Sequence, residues 1–317
     1  MGIIIQDIVY VRYAAPDLDA MQSFLEDFGL RLSTRSQDRL YMRGTSATPY
    51  VHITERAAHT AALGLGLRAA SLADLETLAA ETGAKVEKNP EPAGGFLVQL
   101  TDPAGMRVDV VFGQTALPEL PHRAPLTLNP VSPRQRFGDV QRPAAGPSQV
   151  VRLGHVALHT PHFQETVNYY KTLFGFALSD SYYAGDASNI IGEFLHCGLG
   201  KTFTDHHTLA ILAGEPTGFD HSAFEVVDFD DLMLGNQHLL ATGRTHSWGV
   251  GRHIAGSQIF DYWRDPFEHK IEHWTDGDLV NETYEPVSQA IGPEALAQWA
   301  PPFNPDFLRM VANPPRE

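Results

Sequence analysis

At 317 residues, 43% apolar and 19% charged, the chain has the balance of a soluble globular protein and length enough for two domains. A formal net charge of −15 sets it against nucleic acid and anionic membrane surfaces, which would repel it. Its one cysteine, Cys197, excludes an internal disulfide and leads to the expectation of a reducing, cytoplasmic setting.

The first predicted element is a strand. "MGIIIQDIVYVRY" has no basic leader, and its apolar run is broken at Gln6, Asp7 and Arg12, so it reads as a strand and not as a signal peptide. No apolar run reaches the roughly 18 residues of a membrane span. From this strand the chain passes a polar turn into an amphipathic helix that stops at Phe28-Gly29 before another strand. The pattern recurs: "VYVRYAAPDLDAMQSFLEDFGLRL" (9–32) parallels "HVALHTPHFQETVNYYKTLFGFAL" (155–178). "SLADLETLAAETGAKV" (71–86) parallels "DFDDLMLGNQHLLATGRT" (228–245), each a helix followed by a Gly cap. "LTDPAGMRVDVVF" (100–112) parallels "YWRDPFEHKIEHW" (262–274), each strand, Asp-Pro turn, strand. Each half is therefore expected to hold two β-α-β-β-β units, an α+β architecture of curved mixed sheets covered by helices. Seven prolines between 114 and 150 mark a linker or wrapping segment. The expected divisions are 1–113, the linker 114–150, 151–290, and a C-terminal segment 291–317 with a short helix over 293–299 and a Pro-rich tail.

Three histidines (His52, His59, His122) precede residue 150 and twelve follow it. Such an excess in one half of a duplicated protein points to a site that only that half kept. The repeats place it: His155 opens a strand where the first half has Val9, His221 in "GFDHSAFEV" answers to Gly64, and Glu272 answers to Asp109. A lone histidine on a strand is usually structural; two imidazoles and a carboxylate at equivalent positions of paired modules are better explained as metal ligands. Alternation puts His155 on one face with Ala157, and Glu272 with Lys270 and Trp274, while small Gly154 and Ala223 leave room for a ligand. Two imidazoles and one carboxylate leave a metal's opposite face open, the arrangement of non-heme Fe(II) oxygenases; Zn(II), Mn(II) or Ni(II) would accept the same donors.

In these residues the chain resembles the two-domain extradiol ring-cleavage dioxygenases of the vicinal oxygen chelate superfamily, the catechol 2,3-dioxygenases and dihydroxybiphenyl dioxygenases. The motifs are "LGHVALHT", "FLHCGLGKTFTDHHTLAI", "FDHSAFEV" and "GRHIAGSQIFDYWRDPFEHKIEHW". The resemblance implies a fold of four βαβββ modules in two glyoxalase/bleomycin-resistance-like domains, the N-terminal one metal-free. It implies Fe(II), with Mn(II) also accepted, on His155, His221 and Glu272. It places the acid–base histidine in the His206-His207 pair, with His207 preferred because alternation carries it into the "TLAI" strand. It also implies a substrate-contacting Tyr262 and His253, with Phe194 and His206 on the substrate wall. The expected reaction joins an aromatic diol and O2 to give a hydroxymuconic semialdehyde-type product in aromatic degradation, and the expected assembly is a homo-oligomer. The chemistry suits the residue types: a diol must lose a proton to bind, a histidine can move a proton as the O–O bond breaks, and a tyrosine can hydrogen-bond a diol oxygen. A glyoxalase-type isomerase or lyase is the alternative, and a binding module without chemistry the third reading.

Other residues have plainer readings. His159 and His162 flank a Thr-Pro turn and are expected at the surface or a helix cap; His238 is expected in solvent. Cys197 reads as a small buried hydrophobe. His269 and His273 alternate with Glu272 and should face away from a metal. The tail, carrying Trp299, Phe303 and Phe307, is expected to cover either the pocket mouth or a subunit interface.

Overall fold

The computed structural model describes residues 2–313. In the first half, β1 (Ile5–Ala15), α1 (Leu18–Asp27), β2 (Arg31–Arg35), β3 (Arg39–Arg43) and β4 (His52–Arg56) form one module. A second comprises β5 (Ala61–Ala69), α2 (Leu72–Thr82), β6 (Glu87–Lys88), β7 (Phe96–Thr101) and β8 (Arg107–Phe112). No helix or strand is formed between Gly113 and Gln149. The third module runs β9 (Val150–Thr160), α3 (Phe163–Phe174), β10 (Phe176–Tyr183), β11 (Ile190–Cys197), the short β12 (Thr204–Asp205) and β13 (Leu209–Ala213). The fourth runs β14 (Gly218–Val226), α4 (Phe229–Ala241), β15 (Thr245–His253), β16 (Ile259–Arg264), β17 (Lys270–Thr275) and the short β18 (Leu279–Val280). The tail contributes β19 (Val287–Ala290), α5 (Pro293–Leu296) and β20 (Ala297–Trp299). No described helix is long and apolar enough to cross a membrane.

Local chemistry sets the helices. The Asp17 carboxylate caps α1 by accepting from the Asp19 and Ala20 amides, and Leu18, Met21, Phe24 and Leu25 form its buried stripe. Gly175, at φ 68°, ends α3 in the left-handed conformation that glycine adopts without a Cβ penalty.

Each half closes into one sheet. The first orders its strands β2-β3-β4-β1-β5-β8-β7-β6, and the second β19-β10-β11-β13-β9-β14-β17-β16-β15-β20. Two modules meet antiparallel in the middle of each sheet, β1 on β5 and β9 on β14. The expected βαβββ duplication is thus present twice over. The halves share a core: Phe28 packs edge-on against Phe224, and His273 stacks on Phe28 with its Nε2 donating to the Phe28 carbonyl at 2.7 Å. His238, expected in solvent, instead lies 3.1 Å from Asp27 across the two halves. The segment expected as a helix over 293–299 is helical only to Leu296. Beyond it the chain extends because Ala297 and Trp299 pair with His253 and Arg252 at the edge of β15.

The two Asp-Pro turns share one device. Asp102 Oδ1 accepts the Met106 amide at 2.7 Å, while Asp265 Oδ1 accepts those of Phe267 and His269 at 2.7 and 3.0 Å. Burial nevertheless pushes the Asp265 carboxyl up to about 7, against the pull of those two amides. A carboxyl raised in the folded state favours folding fully below its unfolded value near 3.8, and that contribution is lost as pH climbs through 7. Asp265→Asn keeps the accepting oxygen and removes the charge. It is expected to stabilise the protein by about 1–3 kcal/mol at pH 8 and to flatten the stability profile between pH 4 and 7. Urea melts at pH 5 and 8 check this; equal effects of the substitution at both pH values would refute it.

Candidate metal centre

The sheet register assembles the site in one lateral row. Across adjacent strands, His155 on β9 stands opposite Ala223 on β14, Ala223 opposite Glu272 on β17, Glu272 opposite Tyr262 on β16, and Tyr262 opposite Trp248 on β15. Residues in one row share a face because side chains alternate along each strand. His221 stands one step away on β14, opposite Ala157 and Lys270. Small Ala223 between His155 and Glu272 leaves the space in which their side chains converge. Gly154 serves otherwise: a Cβ there would meet the Trp274 ring at 2.5 Å, so its smallness seats tryptophan and not a ligand.

His155 Nε2 and His221 Nε2 are 3.4 Å apart, and each lies 3.3 Å from Glu272 Oε2. His155 and Glu272 are fully buried. Yet neither Glu272 oxygen has a partner in hydrogen-bonding geometry. A buried carboxylate without hydrogen bonds is costly, and two imidazole nitrogens aimed at the same point supply neutral donors. A divalent cation at that point would take all three, so the donor set fits a metal. Burial alone would raise the Glu272 carboxyl; the surrounding His155, His253 and His221 outweigh it and hold it well below the usual range. The other side of His221 is fixed: its Nδ1–H donates to Asp220 at 2.8 Å, and Asp220 lies 2.9 Å from the buried Lys270 ammonium. Lys270 also donates to the Phe307 carbonyl of the tail at 2.9 Å.

A cavity of about 390 Å³ opens on this face. His207 lines it, its ring 4.1 Å from that of His155; His206 is buried behind His207 and does not reach the cavity. Burial, then the neighbouring His155 and His206, push the His207 pKa well below the ordinary imidazole value, so it stands as a neutral base. Phe194 meets His207 edge-on at 5.0 Å. The Leu296 carbonyl accepts from His253 Nδ1 at 2.7 Å, which leaves Nε2 as acceptor for the Tyr262 hydroxyl at 2.9 Å. Burial and the nearby Glu272 hold Tyr262 protonated, well above the phenol range.

Several features escaped the sequence. His159, expected at the surface or a cap, is on the cavity wall because it follows Ala157 on the inward face of β9. The tail covers this cavity: Leu296, Phe303 and Phe307 line it, and Trp248 donates to the Pro301 carbonyl at 3.2 Å. The Asp220–Lys270 pair carries no sequence signal of its own; its role comes from strand neighbours. The equivalence of His155 with Val9 is also corrected. Opposite Gly66, where the second half has Ala223 facing His155, the first half has Tyr10.

Residues 152–273 match the model of the Glyoxalase/Bleomycin resistance protein/Dioxygenase superfamily. Metapyrocatechase 2 of Cupriavidus necator is 28% identical over 307 residues, covering 96% of this chain and 92% of that protein. An iron-dependent extradiol dioxygenase of Rhodococcus jostii (strain RHA1) is 24% identical over 84% of this chain and 80% of its own length. Among solved structures, the Mn(II)-bound glyoxalase from Novosphingobium aromaticivorans superposes with a TM-score of 0.79 at 25% identity, covering 98% of this chain and 96% of that one. Homoprotocatechuate 2,3-dioxygenase from Brevibacterium fuscum shares the fold, with a TM-score of 0.80 at 18% identity over 98% and 93% of the two chains. With its doubled modules, a family-model match over residues 152–273 and relatives matched along nearly its whole length, the chain is similar to the two-domain extradiol dioxygenases of the Glyoxalase/Bleomycin resistance protein/Dioxygenase superfamily.

Proposed function

We propose that the protein is an Fe(II)-dependent extradiol dioxygenase that opens catechol-type rings bearing an uncharged, apolar substituent. The observation that carries this reading is the sharing of one cavity by the His155, His221 and Glu272 donors, a neutral His207, and the Tyr262–His253 pair. When bound by those three residues, iron supplies Lewis acidity toward the diol oxygens and one-electron chemistry toward O2.

The remaining work falls to the chain itself. With its hydroxyl hydrogen given to His253, Tyr262 presents oxygen lone pairs to a diol hydroxyl, and the pair can take up its proton. His207, neutral and on the opposite wall, can take or return a proton at the ring, work typically worth about 10²–10⁴-fold. Ile191, Phe194, Leu212, Phe303 and Phe307 exclude water and orient the ring plane.

The walls also select. No arginine or lysine lines the cavity among the described residues, and the nearby Lys270 is spent on Asp220 and the Phe307 carbonyl. A carboxylate on the substrate ring would be buried unpaired, at a cost of several kcal/mol. Alkyl- or aryl-substituted catechols are therefore expected to exceed carboxylated ones by at least about 100-fold in kcat/KM. The test is anaerobic reconstitution with Fe(II), then air and a panel of diols, following O2 uptake and the yellow ring-fission chromophore. One O2 consumed per diol opened supports the reading. Tight metal binding with no O2 uptake on any diol would overturn it in favour of glyoxalase-type chemistry. Equal turnover of a carboxylated catechol would overturn the substituent preference alone.

A further inference from the structure

We propose that Asp180 and His206 are positioning residues that hold His207 in the tautomer whose Nε2 is bare toward the cavity, an inference that rests on the ring-cleavage reading only for its kinetic consequence. The Asp180 carboxylate, on β10, receives three donors. Its Oδ1 accepts the Tyr284 hydroxyl at 3.2 Å and the Val287 amide at 2.8 Å, and its Oδ2 faces His206 Nε2 at 3.0 Å. An ionised carboxylate only accepts, so His206 Nε2 carries the hydrogen. An imidazole with its single hydrogen at Nε2 offers a lone pair at Nδ1, and His206 Nδ1 lies 3.1 Å from His207 Nδ1. That contact is a hydrogen bond only if His207 Nδ1 carries its proton, which leaves His207 Nε2 unprotonated. Nε2 has no hydrogen-bond partner among the described residues, and the ring lines the cavity.

The assembly is braced. Ser179 donates to the His206 carbonyl, the His206 amide donates to the Asp278 carbonyl at 3.0 Å, and a Cβ on Gly256 would come within 3.0–3.1 Å of the His206 ring. The consequence is chemical: a bare Nε2 can take a proton from a bound diol, whereas the other tautomer presents an N–H and cannot.

Asp180→Asn tests the chain of inference. Tyr284 and Val287 keep the amide oxygen, so the Asn NH₂ faces His206 Nε2 and turns it into an acceptor. His206 Nδ1 must then donate, and the proton of His207 moves to Nε2. Long-range ¹H–¹⁵N spectra of imidazole-labelled protein loaded with Zn(II), a diamagnetic ion, read this directly. The expected result is His207 protonated at Nδ1 in the wild type and at Nε2 in Asp180→Asn. In the Fe(II) enzyme, kcat should fall by about 10²–10⁴-fold with the diol KM unchanged, and Asp180→Glu should recover the wild-type tautomer and part of kcat. If Asp180→Asn does not fold, His206→Gln keeps a donor for Asp180 and removes the ring acceptor. His207 should then lose its single tautomer. A wild-type His207 protonated at Nε2, or an unchanged tautomer in the variant, would overturn the inference. A wild type with the stated tautomer that opens no diol would leave it standing and remove the ring-cleavage reading instead.

Discussion

Glu272→Ala is expected to leave less than a tenth of an equivalent of metal on the protein after desalting and to abolish O2 uptake. Glu272 is the one anion among the three donors, so its loss leaves two neutral imidazoles to hold a divalent cation. The loss of affinity should exceed the roughly 10–100-fold that removal of an outer hydrogen-bond partner of a ligand costs. Stability gives a second readout. A metal present at 100 times its Kd stabilises the wild type by about 2.7 kcal/mol, and that increment should vanish in the variant. The metal-free proteins should differ much less, because the substitution also removes a fully buried carboxylate that lacks hydrogen bonds. Melts with and without added Zn(II), beside metal analysis, separate these effects. A variant that kept one equivalent of metal and its metal-dependent rise in Tm would remove Glu272 from the centre.

The duplication and the positions of His155, His221 and Glu272 were legible because they sit on strands whose period is two and whose ends are marked by Asp-Pro and Phe-Gly turns. Each of those signals is local. What the sequence did not carry depends on strands far apart in the chain becoming neighbours. Tyr262 stands beside Glu272 because β16 pairs with β17, and Trp248 joins the row only through β15. Alternation into β13 favoured His207 over His206, and His207 is the one of the two that lines the cavity. The helix expected over 293–299 failed for a related reason. Its residues favour a helix by themselves, but an open edge on β15 offered Ala297 and Trp299 backbone partners. The mistaken pairing of His155 with Val9 arose by counting back from the helix end; counting from the strand gives Tyr10, and hydrogen-bond register decides for the strand.

Arg12→Met is expected to destabilise the protein by about 3–5 kcal/mol. The reason lies in what the first half did with its copy of the site. Arg12 stands opposite Gly64 as Ala157 stands opposite His221, so the guanidinium enters the space that the missing imidazole leaves. There it meets Glu55, Glu91 at 2.8 Å and Asp109 at 3.3 Å, while Tyr10, in the place of His155, donates to Asp109 at 2.9 Å. Arg12, Glu91 and Asp109 are all almost fully buried. An internal cation thus does for these carboxylates what a metal would do for Glu272, and removing it leaves the buried Glu91 with only the Arg39 cation, at 3.4 Å, and Asp109 with only the Arg107 cation, at 2.8 Å. Burial alone would raise the Glu91 carboxyl; Tyr41 and Arg12 outweigh it and lower it. Without Arg12 that carboxyl rises, so folding of the variant takes up protons and its deficit should be larger at pH 8 than at pH 5. Calorimetry at the two pH values measures both, at about 2–4 °C in Tm per kcal/mol. A deficit below about 1 kcal/mol, or one that does not change with pH, would mean that Glu55, Glu91 and Asp109 do not depend on Arg12.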